Sequence, residues 1–191
     1  MRRFSPGPLV DRDLELVRPA ARWVDDFLLA CAHPQSWADP ATYWTRDQLI
    51  GFVQHYPDGT FGHQPGDRWD GFYFWLRLLP AYRPIIPVAG TLSLRLGDDE
   101  DLTRYYGHIG YGVFPAARGQ HLAERACRLA LPIAWQHGMR ELWITCNPEN
   151  APSRRTCERL GATYVDTVDV PAGHALWDKG ERAKCRYRLA P

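Results

Sequence analysis

The chain has 191 residues, 45% of them hydrophobic and 24% charged, which is the composition and the size of one large globular domain. Lys and Arg number 23 against 22 Asp and Glu, so no general field draws the molecule toward nucleic acid, anionic lipid or a cationic partner, and any binding of polyanions must be local. The five cysteines, Cys31, Cys127, Cys146, Cys157 and Cys185, are odd in number and contain no C-x-x-C pair, which argues against a disulfide framework or a zinc knuckle and fits a reducing cytoplasm.

The opening MRRFSPGPLVDRD is broken by prolines and charges before an apolar segment can form, and no stretch approaches the roughly 18 apolar residues that span a bilayer. Secretion and membrane anchoring are therefore not expected. Leu14, Leu16 and Val17 read as a short strand, followed after Pro19 by an amphipathic helix from Ala20 to about Cys31. Thr45 suits the N-cap of a second helix that runs to about His55 and ends at the Pro57-Asp58-Gly59 turn, with a long loop beyond it. The run from Gly71 to Leu79 is short and almost wholly apolar, as in a strand buried on both faces. Val88, Gly90, Leu92, Leu94 and Leu96 then alternate with Ala89, Thr91, Ser93 and Arg95, which predicts a strand with one face on a core.

After a turn at Gly97-Asp98-Asp99, Ile109, Tyr111 and Val113 alternate with His108, Gly110 and Gly112 in a strand running into Phe114-Pro115. Leu122, Ala126, Leu129, Ala130 and Ile133 recur at helical spacing, predicting a helix from about Gly119 to His137 that is kinked or divided at Pro132. Leu142 to Cys146 reads as a strand, Pro152 to Leu160 as a helix closed by Gly161, and Tyr164 to Val170 and Lys184 to Leu189 as two last strands. The class is mixed α/β, without repeats, and residues 1–191 are expected to form a single domain.

The informative unit is Val113-Phe114-Pro115-Ala116-Ala117-Arg118-Gly119-Gln120-His121-Leu122-Ala123. A strand ending at Pro115 and a helix starting near Gly119 aim unpaired backbone N–H groups and the positive end of a helix dipole at one point. Such a point binds phosphate or pyrophosphate, Gly119 admitting close backbone approach and Arg118 adding charge. The alternative is a plain helix start with a surface arginine.

This unit resembles the signature of the GNAT superfamily of acyl-CoA-dependent N-acyltransferases, V-x-P-x-x-R-G-x-G-x-A, which Val113, Pro115, Arg118, Gly119 and Ala123 match. The second signature of that family, an N-x-x-[AS] helix closing with L-G-[FA], is matched by Asn150, Ser153, Leu160, Gly161 and Ala162. The resemblance is sharp from about Val88 to Ala162. It implies a central mixed sheet, flanked by helices and splayed between the strands around Val113 and Ile144, with a β-bulge opening the gap for the pantetheine arm of acetyl-CoA. In the implied cofactor site the backbone of Val113 pairs with pantetheine and an N–H near it polarises the thioester. The loop Arg118, Gly119, Gln120, His121, Leu122 and Ala123 holds the pyrophosphate, and Asn150 and Ser153 line the channel. Asn150 alone reads equally as a helix N-cap.

Two positions depart from the family pattern. His121 stands where a second glycine is preferred, so it either crowds the pyrophosphate or points away. Cys157 stands seven residues after Asn150, where many members carry a tyrosine general acid, so the thiol is a candidate acid or a small buried hydrophobe. His108, with an ordinary pKa near 6.5, is the candidate base for the attacking amine, unless it only caps the strand, and Tyr111 on the opposite face is the alternative. No metal is expected.

The aromatic stretch Trp37, Tyr43, Trp44, Phe52, Tyr56, Phe61, Trp69, Phe72, Tyr73, Phe74 and Trp75 suggests an apolar or planar acceptor pocket, although core packing accounts for most of it. The loop from Pro171 to Arg182, with His174, Trp177 and Asp178, is a candidate lid. The reading that follows is acetyl transfer from acetyl-CoA to a small-molecule or peptide amine by direct attack in a ternary complex. Two others stand beside it. One is a non-CoA donor such as aminoacyl-tRNA, raised by His121 and by Arg125, Arg128, Arg154 and Arg155. The other is a non-catalytic CoA-binding module.

Overall fold

The computed structural model describes residues 8–39, 42–63 and 65–191. The first seven residues, part of the opening segment discussed above, lie outside them. A hairpin of β1 (Leu9–Asp11) and β2 (Leu14–Val17) leads through a 3-10 turn at Ala21–Trp23 into α1 (Val24–Ala32). Thr45 caps α2 (Arg46–His55) reciprocally with Gln48: Gln48 N–H donates to Thr45 Oγ1 at 3.2 Å, and Thr45 N–H to Gln48 Oε1 at 2.8 Å. The loop that follows contains β3 (Thr60–Phe61), a two-residue strand too short to show a period.

The long strands β4 (Asp70–Leu78) and β5 (Val88–Leu96) pair antiparallel, and β6 (Ile109–Val113) continues the sheet in the order β1-β2-β4-β5-β6, with β3 on β4. Between β5 and β6 lies a π-helical turn, Leu102–Tyr106, that no hydrophobic period announces. α3 (Leu122–Gln136) crosses back to β7 (Leu142–Cys146). Then come α4 (Ala151–Leu160), β8 (Thr163–Asp169), the short α5 (Ala175–Asp178) and β9 (Ala183–Leu189), with β7-β9-β8 as a second antiparallel sheet.

Strand alternation assigns the layers. Phe72 and its neighbours on the even face of β4 meet α3, where His137 stacks on Phe72 at 5.2 Å. On the odd face Phe27 of α1 packs on Trp75 at 4.7 Å, and Phe52 of α2 on Tyr73 at 5.0 Å. One apolar cluster joins both sheets, from Leu14 to Leu189.

Three expectations need correction. α3 begins at Leu122, not near Gly119, because residues 118–121 form an irregular loop ending in left-handed His121. It also runs unbroken through Pro132, so the divided helix is not formed. The bulge lies on β5: Leu76 pairs with Gly90 and Arg77 with Val88, leaving Ala89 extra, whereas the β5–β6 register is continuous. Gly90, at φ +153, is required there, since a Cβ would lie 2.0 Å from Gly112 O.

Candidate active site

β6 and β7 both start at one junction and then part. His108 N–H donates to Trp143 O at 2.7 Å, and beyond it the ladders separate into the two sheets. Gly107, at φ +71, permits this junction, because a Cβ would stand 2.9 Å from Thr145 N. On its other edge β6 is bonded to β5. Arg95 N–H reaches His108 O at 2.7 Å and Phe114 N–H reaches Ala89 O at 2.8 Å, which makes the even residues of β6 the bonded ones. The N–H groups of Tyr111 and Val113 therefore face the gap.

The gap opens into a cleft of about 650 Å³ lined by the ends of β6, α3 and α4. At its outer end Arg125 N–H is the first to close a helical bond in α3, to His121 O at 3.1 Å, and no side chain caps the helix. The N–H groups of Leu122, Ala123 and Glu124 consequently lack intrahelical acceptors and converge with those of the preceding loop. Gly119 takes φ +86, and a Cβ there would meet nothing within 4 Å, so torsion rather than space calls for glycine. His121 takes φ +57 and ψ +22: it keeps the left-handed backbone of a glycine position, with its side chain 55% exposed and Nδ1 3.9 Å from Glu124 Oε2. The histidine thus points outward, though it remains on the cleft lining.

Arg118 donates from Nε to Val113 O at 3.0 Å and from a terminal nitrogen to Asp39 Oδ2 at 2.6 Å, while 58% of its side chain stays exposed. Glu124, in the first turn of α3, is held by Arg128 at 3.1 Å and Arg159 at 3.3 Å. Arg155 and Arg159 add positive charge to the lining. Of the four arginines weighed for a nucleic-acid donor, Arg125 is taken by Asp11 and Asp13 at 2.6 and 2.7 Å, and Arg154 by Tyr187 and Pro148.

On the inner wall Asn150 caps α4, accepting from Ser153 N–H at 3.1 Å, and Ser153 Oγ lies 2.8 Å from the Tyr111 hydroxyl. Burial pushes the Tyr111 hydroxyl far above its ordinary range, so it stays protonated. Cys157 is fully buried behind this pair and does not line the cleft. Its S–H donates to Cys146, which together with burial drives its pKa strongly upward. Cys146 is the more acidic partner, its pKa lowered by that hydrogen bond.

His108 lies outside the cleft. Only 2% exposed, it accepts from Trp143 N–H at Nδ1 (2.8 Å), which leaves Nε2 to donate to Gly97 O (2.9 Å). Burial lowers its pKa, and neither ring nitrogen is free to receive a proton from an amine. Sequence reasoning thus brings Val113, Arg118, Gly119, His121, Leu122, Ala123, Asn150 and Ser153 to one cleft and misses Thr156 and Arg159. Their signal was the helical spacing Ser153, Thr156, Arg159, one row on α4. Gln120 is exposed in the loop before α3 and is not on the lining.

The aromatic stretch divides. Phe61, Phe72, Phe74 and Trp75 belong to the core, Trp37 and Tyr43 are exposed, and Phe27, Trp44, Phe52, Tyr73, Trp75 and Thr91 bound a cavity of about 160 Å³ on the odd face of the sheet. The segment expected as a lid contains α5 and packs inward, His174 stacking on Tyr105 at 4.7 Å and approaching Asp101 at 3.3 Å. No group of three His, Cys, Asp or Glu side chains suited to a metal occurs among the described residues.

Comparison with known proteins agrees with this geometry. Residues 13–163 match the family model for the acetyltransferase (GNAT) domain. No curated protein matches. Among solved structures, the acetyltransferase that modifies the N-terminal serine of 50S ribosomal protein L7/L12 from Salmonella typhimurium is similar at 16% identity, over 96% of this chain and 98% of that one, with a TM-score of 0.64. The microcin C7 self-immunity acetyltransferase in complex with acetyl-CoA and AMP is similar at 15% identity, over 95% and 94%, also at 0.64. The ribosomal L7/L12 α-N-protein acetyltransferase in complex with coenzyme A is similar at 18% identity, over 95% and 96%, at 0.61.

Proposed function

We propose that this chain, which belongs to the GNAT acetyltransferase family, transfers an acetyl group from acetyl-CoA to the amine of a small molecule or peptide, with residues 1–191 acting as one catalytic domain in a reducing cytoplasm. The observation that carries the proposal is the uncapped start of α3 beside Arg118, opening onto a strand edge whose Tyr111 and Val113 N–H groups have no partner in the ladder. The loop and α3 N–H groups suit the pyrophosphate, Arg155 and Arg159 further phosphate charge, and the edge of β6 the amides of pantetheine, as an added strand would. The Tyr111 or Val113 N–H then lies where a thioester oxygen gains negative charge, a donor typically worth about 3 kcal/mol in the transition state.

The neutral amine attacks the thioester carbonyl, the C–N bond forms, the C–S bond breaks, and the thiolate needs a proton while the new amide sheds one to water. Tyr111 is the hydrogen-bond donor we assign to the developing thiolate, because it lines the cleft and its hydroxyl, held by Ser153, keeps its proton, so that water supplies the proton the thiolate takes up. His108 and Cys157 serve the scaffold in this reading, the first as a strut between the sheets and the second as packing under Tyr111. This reading does not need an aminoacyl-tRNA donor, since His121 leaves the backbone of the loop as a glycine would. Of the four arginines, Arg125 is neutralised by Asp11 and Asp13 and Arg128 by Glu124, so the basic surface left is Arg155 with the exposed Arg154.

Calorimetric titration with acetyl-CoA, followed by thiol release over a panel of amines and peptide N-termini, tests the proposal. Micromolar binding with turnover is the expected result, and Tyr111→Phe should lower kcat by about ten- to a hundredfold at unchanged acetyl-CoA affinity. Binding without turnover of any amine would favour the non-catalytic module, and no binding would refute the donor.

A further inference from the structure

The odd face of β5 presents Thr91, Ser93 and Arg95 in line, and Arg95 is the unusual member. Its side chain is largely buried, and burial lowers its pKa. Among the described residues no carboxylate lies within ion-pair distance of it. Its neighbours are the hydroxyls of Tyr73 and Tyr106, its one hydrogen bond goes from a terminal nitrogen to Gly107 O at 3.1 Å, and Trp69 lies 6.0 Å from its centre. None of its nitrogens is both fully enclosed and unpartnered, so the donors that Gly107 leaves unspent still reach solvent and are open to a ligand that would complete them.

Its position says which ligand. A Cβ at Gly110 would stand 3.3 and 3.5 Å from the two terminal nitrogens of Arg95 and 2.9 Å from Ser93 Oγ, so the guanidinium lies over Gly110 because that residue has no side chain. The next residue, Tyr111, turns its N–H into the gap where the thioester is proposed to lie. An anion on Arg95 would sit within roughly two residue spacings, about 7 Å, of that carbonyl. The cavity bounded by Phe52, Tyr73 and Trp75 continues along the same face, with Tyr73 flanking both.

We propose that Arg95 binds the carboxylate of an acceptor that carries both an amine and a carboxylate, fixing the amine at the thioester and the apolar part of the acceptor toward Tyr73. A single carboxylate matches the single buried charge, whereas a phosphate dianion would leave one charge excess in a pocket of neutral hydroxyls. The inference rests on acyl transfer at this cleft, but its test does not.

Binding of N-acetyl-L-phenylalanine, phenyl phosphate and the neutral N-acetyl-L-phenylalaninamide is measured by calorimetry on the wild type, with and without coenzyme A, and on Arg95→Gln and Arg95→Lys. The carboxylate should bind at least tenfold more tightly than the amide, a difference of about 1.4 kcal/mol. Arg95→Gln should bring the ratio to within twofold and Arg95→Lys should restore part of it, with the affinity for acetyl-CoA unchanged in both as the check on folding. Equal binding of acid and amide to the wild type, no binding of the acid, a preference for the phosphate, or a ratio retained in Arg95→Gln would each overturn the assignment. Failure of acetyl-CoA to bind the wild type would instead remove the transferase reading and leave the probes to decide on Arg95.

Discussion

His121 holds a glycine conformation without being glycine, and the consequence is measurable. Its φ of +57 and ψ of +22 place it in the left-handed region, which costs an L-residue roughly 1–2 kcal/mol, although histidine is among the residues that enter it more readily. His121→Gly removes that strain but adds about 0.4–1 kcal/mol of entropy to the unfolded chain. The ring itself contributes little, being 55% exposed and 3.9 Å from its nearest carboxylate. The net gain is therefore about 0.5 kcal/mol, or ~1–2 °C in Tm for a chain of this size. His121→Ala separates the two effects, because it also loses the ring yet keeps the strain. The alanine variant should melt ~2–4 °C below the glycine variant, and acetyl-CoA affinity should change by less than about threefold in both. Thermal denaturation and calorimetry read these values. Equal melting of the two variants would refute the strain, and a tenfold loss of affinity in both would show the ring, not the backbone, holding the phosphate.

Other positions give shorter tests. Asn150→Ala removes the cap on Ser153 N–H and should cost about 1 kcal/mol in denaturant unfolding, with weaker acetyl-CoA binding measured separately. Arg118→Met should weaken acetyl-CoA about tenfold and flatten its salt dependence in calorimetry, whereas Asp39→Asn, by releasing the Arg118 guanidinium, should tighten it a few-fold. His108 has its folded pKa depressed by burial, so the unfolded chain binds the extra proton: its contribution is fully present above about pH 6.5 and is lost as pH falls from there toward the folded value. Denaturant midpoints from pH 8 to 5 should show this fall in the wild type and less of it in His108→Gln. Asp13 and Asp166, whose pKa values are lowered from 3.8, lose their contributions only at more acid pH and do not confuse the comparison.

The sequence carried local periods well and long-range pairings poorly. The alternation of Val88 to Leu96 and the Thr45 cap depend on neighbours within a few residues and formed as read, and the strand-turn-helix from Val113 to Ala123 formed with its helix start moved from near Gly119 to Leu122. The π-helical turn at Leu102–Tyr106 has no such period, and β3 is two residues long. His108 reads as a base because an isolated histidine near a glycine-rich strand has the right chemistry. Only the register with β7, thirty-five residues away, supplies the Trp143 N–H that occupies its ring. Cys157 is decided in the same way, by Cys146 and Tyr111 closing over it. Arg95 reads as the polar side of an alternating strand, and nothing local marks its missing carboxylate.

A single short strand organises both sides of the proposed reaction, and the pattern of its residues shows how. The odd members of β6 send their side chains toward α3 and α4, where Tyr111 meets Ser153, and send their N–H groups into the gap. The even members Gly110 and Gly112 face the opposite layer and bear no side chains, so Arg95 and Thr91 of β5 reach the strand directly, with Arg95 terminal nitrogens 3.3 and 3.5 Å from the Cβ site of Gly110 and Thr91 Oγ1 3.9 Å from that of Gly112. Donor and acceptor can then approach one carbonyl from opposite faces without a side chain between them. The alternation Ile-Gly-Tyr-Gly-Val is therefore more than a thinned strand: large residues at odd positions anchor β6 to the helices, and glycines at even positions leave the other face open beside the proposed thioester position.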